Sequence, residues 1–321
     1  MTFTRGLKAA FFCSLLCCCL IATYLHAGSN QSISAQIESL RTQIQANESS
    51  VPDRIEYLRN YFIKNPDDYH ESAFLNVWAY ASLLKQNLEV SYQRLLLARS
   101  KAETSDNNLQ LAESFRIEGA VLDTIGEYGA ALEALNKAFS LYSELQSDKV
   151  LGVYSSISNV YNSLENYQGT LQNSYRLLAA AQQHNNKAYE GLAYFRIAFA
   201  QSQLEQLQDA TVNATIAEKI LQQVDYPFIG VVYLLIAQIN VEQGNFEEGL
   251  KRISQSIEAD RKVDYLYNEV PRLLLIADIY QQQGNTNNAI DELKKSFENE
   301  VLRNDKNQFL QILEKLIELW A

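Results

Sequence analysis

The sequence predicts an all-α chain, a solenoid of antiparallel helix pairs. Three observations carry this. Apolar and small residues recur at i, i+3, i+4 and i+7 along most of the chain, which puts one face of a 3.6-residue helix inward. The pattern returns at intervals of 39 or 40 residues. Only 12 Gly and 4 Pro interrupt 321 residues, which leaves little room for an all-β reading.

The first segment, 1–27, reads as a leader. Arg5 and Lys8 are its only charges, Ala9 to Leu25 is apolar, and Ala27, Gly28 and Ser29 offer small residues for cleavage. That order is the order of a secretory signal. An apolar run at the short end of the membrane-spanning range also fits an uncleaved anchor. No second run of spanning length follows, so no membrane insertion is expected once the signal is removed. All four cysteines (Cys13, Cys17, Cys18, Cys19) lie in the leader. A mature chain without thiols suits an oxidising compartment, because the helical core is large enough to do without disulfides. The residues before these cysteines are not the small ones that lipid attachment favours. The formal net charge of -11 would become -13 after removal of Arg5 and Lys8. A basic footprint for nucleic acid is therefore missing, and no nucleic-acid partner is expected.

Residues 28–68 read as a linker and helical cap. Ile37, Leu40 and Ile44 mark one helix, and Ile55, Leu58 and Phe62 a second. Ser49-Ser50-Val51-Pro52 separates them, and Asn65-Pro66-Asp67 ends the second. Residues 69–303 read as about six helix pairs. The small residue of each first helix is Gly119, Ser158, Ala198, Ala237 or Ala277, and of each second helix Ala131, Thr170, Ala210, Gly249 or Ala289. Turns are expected at Gly126-Glu127, Glu165-Asn166, Glu205-Gln206, Gly244-Asn245 and Gly284-Asn285, where Gly or Asn tolerates a left-handed backbone. A degenerate unit precedes these, in register through Asn76, Tyr80, Leu83, Glu89, Tyr92 and Leu96. Without the small residues, its two helices are expected further apart. Residues 304–321 read as a capping helix with an inner stripe of Phe309, Ile312, Leu313, Leu316 and Trp320. Leu310, Ile317 and Leu319 fall off that stripe and are expected either to touch the preceding second helix, Ala289 to Phe297, or to meet a partner or a second copy of the chain in a homodimer.

Gly126-Glu127-Tyr128-Gly129-Ala130-Ala131-Leu132 carries the pattern G-x-Y-x-x-A-L, repeated with substitutions from Gly244 and from Gly284. In this the chain resembles the tetratricopeptide repeats over about Tyr69 to Trp320. Its period exceeds the usual 34 of that family, as in the subset with an extra helical turn. The resemblance implies a right-handed superhelical solenoid whose first helices line a peptide-binding groove. Carried over position by position, the groove residues are Arg116, Asp123, Asn159, Asn162, Phe195, Arg196, Phe199 and Gln238. In such a groove Asn bonds a peptide backbone and Arg holds a carboxylate. Arg116 stands at a position of the family's carboxylate clamp, but Ala120 replaces the clamp asparagine.

Catalysis is hard to assemble from these residues. The mature chain has two histidines, His70 and His184, and no cysteine. Asp67-Asp68-Tyr69-His70-Glu71 is read as an acidic first turn rather than a metal site. His184-Asn185-Asn186-Lys187 reads as a helix end. No phosphate loop or nucleophile elbow occurs, so no enzyme, no cofactor and no metal are expected. Tyr154, Tyr161, Tyr194, Tyr233 and Tyr280 map onto packed positions rather than onto a stacking platform. The expected function is an exported scaffold, periplasmic or secreted in a bacterium, that binds a protein or an extended peptide. The alternatives are a sensory ectodomain of a split or truncated signalling protein, of the diguanylate cyclase or kinase type, and a cell-envelope carbohydrate-binding protein or enzyme.

Overall fold

The computed structural model describes residues 32–45, 48–263, 268–298 and 306–320. The expected leader lies outside them. Among the described residues the chain is helical, with no strand. It forms two compact units, residues 1–117 and 118–321.

In the first unit α1 (Ile33–Gln45), α2 (Val51–Lys64), α3 (Asp68–Leu84) and α4 (Leu88–Thr104) precede α5 (Asn108–Thr124), which crosses the unit boundary. The two apolar stripes of the cap behave as expected: Ile37, Leu40, Ile44, Leu58 and Phe62 are buried in one cluster with Phe74 and Leu75. Pro52 sits in the first turn of α2, where its missing N–H costs nothing. Asp67 caps α3 by accepting from the His70 N–H, and its carboxylate also meets His70 Nδ1 at 2.6 Å. Lys101 of α4 ties down the other two carboxylates of that turn, Asp68 at 2.6 Å and Glu71 at 3.0 Å. The acidic cluster is thus a helix start bolted to its neighbour.

The degenerate unit departs from expectation. Its helices are not spread apart. The packed residues are Ala79 and Ser91, both fully buried, and Ser91 Oγ donates to the Ala79 carbonyl at 2.8 Å. These lie 40 residues before Gly119 and Ala131, whereas an interval of 39 points at Tyr80 and Tyr92. Tyr92 and Leu96 are accordingly exposed, and Leu95 and Ala98 are buried.

The second unit continues as pairs. These are α6 (Tyr128–Glu144), α7 (Val150–Ser163) with α8 (Tyr167–Gln183), and α9 (Lys187–Gln203) with α10 (Leu207–Gln223). Then come α11 (Gly230–Glu242) with α12 (Phe246–Lys262), and α13 (Glu269–Gln282) with α14 (Thr286–Lys294). A 3-10 turn (Lys295–Glu298) follows, and α15 (Lys306–Trp320) is last. The predicted small residues are where helices meet. Ala131, Ala198, Ala210, Ala237, Ala277 and Ala289 are fully buried. A Cβ on Gly119 would lie 2.6 Å from Leu135 Cγ and 3.2 Å from the Ala131 carbonyl, so only glycine permits this approach.

The long period has a simple origin. Most helices have 17 residues, and three-residue turns join them. These turns each contain one left-handed residue, at positions 86, 106, 126, 165, 185, 205, 244 and 284, and the longer connections 145–149 and 224–229 contain one each, at 146 and 225. Of the expected turn pairs, the first residue is the left-handed one. It is glycine at 126, 244 and 284 but glutamate at 165 and 205. The asparagines do a different job: Asn87, Asn166, Asn186 and Asn285 cap the next helix through their side-chain oxygens.

The last helix also corrects its expectation. Ile312, Leu316 and Leu319 are buried against α13 and α14, whereas Trp320 is 65% exposed. The final turn rests on its neighbours through Leu319, at i+7 from Ile312, and this rotates Trp320 outward. Leu310 at 53% and Ile317 at 65% are exposed too.

Candidate ligand-binding face

In the second unit polar side chains about 40 residues apart link the first helices α7 with α9, α9 with α11, and α13 with α15. Arg196 of α9 reaches back to α7, donating from Nη1 to Asn159 Oδ1 at 2.6 Å and from Nη2 to Ser155 Oγ at 2.8 Å. Glu242 of α11 accepts from Ser202 of α9 at 3.2 Å and from Gln238 on its own helix at 2.9 Å. Lys315 of α15 contacts Asp278 and Gln281 of α13, both at 2.8 Å. Ser163 of α7 lies beside the Asp123 carboxyl, on the last turn of α5. The spacing explains these links. Four residues past the small residue of one first helix stands a group that meets one five residues past it on the next. Asp123 with Ser163, and Ser202 with Glu242, are two such pairs.

Of the predicted groove residues, Asn159 and Arg196 are brought into contact. Phe195 and Phe199 are half-buried against the core between α9 and α11, and Phe199 meets Tyr167 edge to face with centroids 6.3 Å apart. Gln238 lies on the same face, bonded to Glu242. Asn162 is half-buried, and its backbone carbonyl accepts from Glu165 at 2.8 Å. Arg116 is differently placed. In the first unit it grips Glu113 with two bonds, of 3.0 and 2.9 Å, and Arg41 of α1 approaches the same buried carboxylate at 3.4 Å. Arg116 therefore already holds an internal carboxylate. Val241, three residues past Gln238, is buried and packs where a Cβ on Gly249 would strike it. Ser202, Glu242 and Lys315 were missed, although the 40-residue interval from Ser202 to Glu242 is visible in the sequence. The tyrosines behave as packed residues: Tyr154, Tyr194 and Tyr280 lie against core clusters.

Two of these groups carry unsatisfied atoms. Arg196 is half-buried. Its Nε is buried and has no hydrogen-bond acceptor, and among the described residues no carboxylate pairs with the guanidinium. Burial pulls this guanidinium below the ordinary arginine value, with Tyr226 and Tyr189 acting in the opposite sense. Asp123 Oδ1 is likewise buried without a donor. Burial raises the Asp123 carboxyl above the ordinary aspartate value, and the Ser163 hydroxyl moderates the rise. At the far end, burial alone would lower Lys315, but Asp278 and Glu318 outweigh it and raise it.

Among the described residues no group of three or more His, Cys, Asp or Glu could hold a metal ion. No helix there is long and apolar enough to cross a membrane.

No curated protein matches the sequence. Solved structures do match the fold. The Rap protein complexed with competence and sporulation factor superposes with a TM-score of 0.64 at 12% identity, covering 92% of this chain and 89% of that one. NprR in complex with its cognate peptide NprX gives 0.60 at 13% identity, covering 98% and 97%. A signal transduction ATPase with a tetratricopeptide repeat sensor, PH0952 from Pyrococcus horikoshii, gives 0.62 at 15% identity, covering 90% of this chain and 44% of that one. Identities this low carry the fold and nothing more. Residues 270–300, which span α13 and α14, match the profile of the family described as Tetratricopeptide repeat, and the chain as a whole has a tetratricopeptide-like fold of stacked helix pairs.

Proposed function

We propose that this protein is a non-catalytic, exported scaffold that binds an extended peptide segment across the first helices of its second unit. The observation that carries the reading is Arg196, a half-buried cation on that face that bonds the neutral Ser155 and Asn159 and, among the described residues, meets no carboxylate. A cation so placed is costly unless something anionic joins it. The side chains along the face suit an extended chain: amides at Asn159, Asn162 and Gln238 for its backbone, and half-buried rings at Phe195 and Phe199 for its side chains. Two structures of like fold hold partners, NprR its cognate peptide NprX and Rap the competence and sporulation factor, which supports the reading as analogy of fold alone. Export rests on the leader-like order of 1–27. A pooled library of labelled decapeptides, titrated against the mature chain by fluorescence polarisation, tests the binding. Saturable binding that Phe199→Glu abolishes, with helicity unchanged, supports it. Binding that Phe199→Glu leaves intact, or no binding by any pool, overturns it.

The exposed stripe of Leu310, Ile317 and Trp320 on α15 favours a second, compatible reading, self-association through this helix. Sedimentation of wild type and of Leu310→Glu with Ile317→Glu decides. A dimer that the double change turns into a stable monomer supports it, and a monomeric wild type at high concentration removes it.

A further inference from the structure

We propose that Asp123 and Arg196 are the two poles of one subsite, which takes a peptide segment carrying an acidic and a basic side chain close together. The proposal rests on the peptide reading above and names the chemistry of its ligand.

Both charges flank α7. Arg196 holds Asn159 from the α9 side, and Asp123 faces Ser163 from the α5 side. Asn159 and Ser163 stand i, i+4 on α7, on one face, with Cβ atoms about 5–6 Å apart. A cation and an anion are thus held on either side of a single helical turn. Neither neutralises the other. Each is held by a neutral group, and each keeps a buried atom without a partner, Nε on Arg196 and Oδ1 on Asp123.

Other buried and half-buried cations of this unit do not behave so. Arg252 meets Glu218 at 2.7 Å, Arg272 meets Asp260, and Lys315 meets Asp278 at 2.8 Å. Buried charges are ordinarily paired for a physical reason: desolvation is repaid only by an opposite charge in good geometry. Arg196 and Asp123, which lack such partners, flank α7 on the face assigned to the ligand. A ligand that supplies both missing counter-charges removes both penalties at once. Its carboxylate would take the guanidinium, the strongest neutral-pH pairing for arginine. Its ammonium or guanidinium would take Asp123. Between them, Asn159 and Asn162 present amides to the intervening backbone.

The test uses tetramethylrhodamine-labelled pentapeptide pools, acetylated and amidated so that the termini carry no charge. One pool fixes Asp and Lys together, one fixes Asp, one fixes Lys, and one is neutral. A free-termini neutral pool separates terminal from side-chain charges. The mature chain should bind the Asp–Lys pool at least about tenfold more tightly than the neutral pool. Arg196→Gln should erase the preference for Asp and keep that for Lys, and Asp123→Asn should do the reverse. Arg196→Lys, which keeps the charge, should retain the preference for Asp. Equal binding of all pools, or preferences that survive both neutral variants, overturns this inference and leaves the peptide reading standing. If only the free-termini pool binds, side-chain recognition is wrong. If no pool binds, both readings fall.

Discussion

Replacing Gly230 by alanine sets a single methyl group against a buried polar cluster of the second unit. Gly230 opens α11, and a Cβ there would overlap Oδ1 of Asp260, with Cγ 2.7 Å away. Asp260 cannot yield without loss. Its Oδ2 accepts from Arg272 Nη1 and from Asn268 Nδ2 at 2.8 Å, and Arg272 also approaches Ser256 Oγ at 3.3 Å. Asp260 and Arg272 are both buried. Breaking such a pair leaves uncompensated buried charge, at a cost of about 3–5 kcal/mol. For a unit of this size, the lower figure corresponds to a fall in Tm of roughly 6–12 °C. Gly129→Ala is the control. Nothing lies within 4 Å of its Cβ position, in the first turn of α6, so the change should be neutral or add up to about 0.8 kcal/mol through helix propensity. Thermal unfolding followed by circular dichroism at 222 nm reads both. A double-mutant cycle isolates the cause: in an Asp260→Ala background, already destabilised, Gly230→Ala should cost almost nothing more. A Gly230→Ala protein melting within about 1 °C of wild type, or an undiminished cost in the Asp260→Ala background, would refute the reasoning.

Three further expectations follow from the same structure. Ala131→Leu, at a fully buried contact with α5, should destabilise by about 1–3 kcal/mol, whereas Glu133→Leu on the exposed face should not, as urea titration of the two variants will report. The Asp123 carboxyl is raised in the folded state by burial, so its ionisation opposes folding. Its favourable contribution is complete below the ordinary aspartate range and lost as pH rises through the raised value. Asp123→Asn should therefore stabilise the chain at neutral pH and give no gain at pH 3, in melts collected across that interval. Glu165 holds a left-handed backbone with φ of 54°, so Glu165→Gly should gain about 1 kcal/mol, while Gly126→Ala, at φ of 84°, should lose about as much in chemical denaturation.

Much of the fold was legible because small residues at a fixed interval force close helix contacts. Where the interval slipped by one, the reading slipped with it. Tyr80 and Tyr92 look like packed aromatics at 39 residues, yet Ala79 and Ser91 do the packing at 40. A one-residue error rotates a helix face by about 100°, enough to turn Tyr92 from core to surface. The same rotation separates Leu319 from Trp320 at the chain's last turn. The glutamates at 165 and 205 gave no sign of their left-handed backbone, since only glycine and asparagine advertise one. At the ligand face, the spacing placed Arg196 and Asn159 on neighbouring first helices. It could not tell that Arg116 spends its guanidinium on Glu113, although an acid three residues before an arginine is a readable pair. Orphaned atoms such as Arg196 Nε are invisible in sequence, because they depend on what three helices leave unfilled.

The central claim, that a peptide lies across the first helices of the second unit, is most directly tested by photo-crosslinking from chosen positions. Benzophenone side chains at Asn159, Phe199 and Gln238 sample that face, and one at Val212 samples the exposed side of a second helix. With the labelled peptide pools as probe, label should transfer to the chain from 159, 199 and 238 and not from 212. Equal transfer from 212, or none from the first-helix positions, would contradict the account.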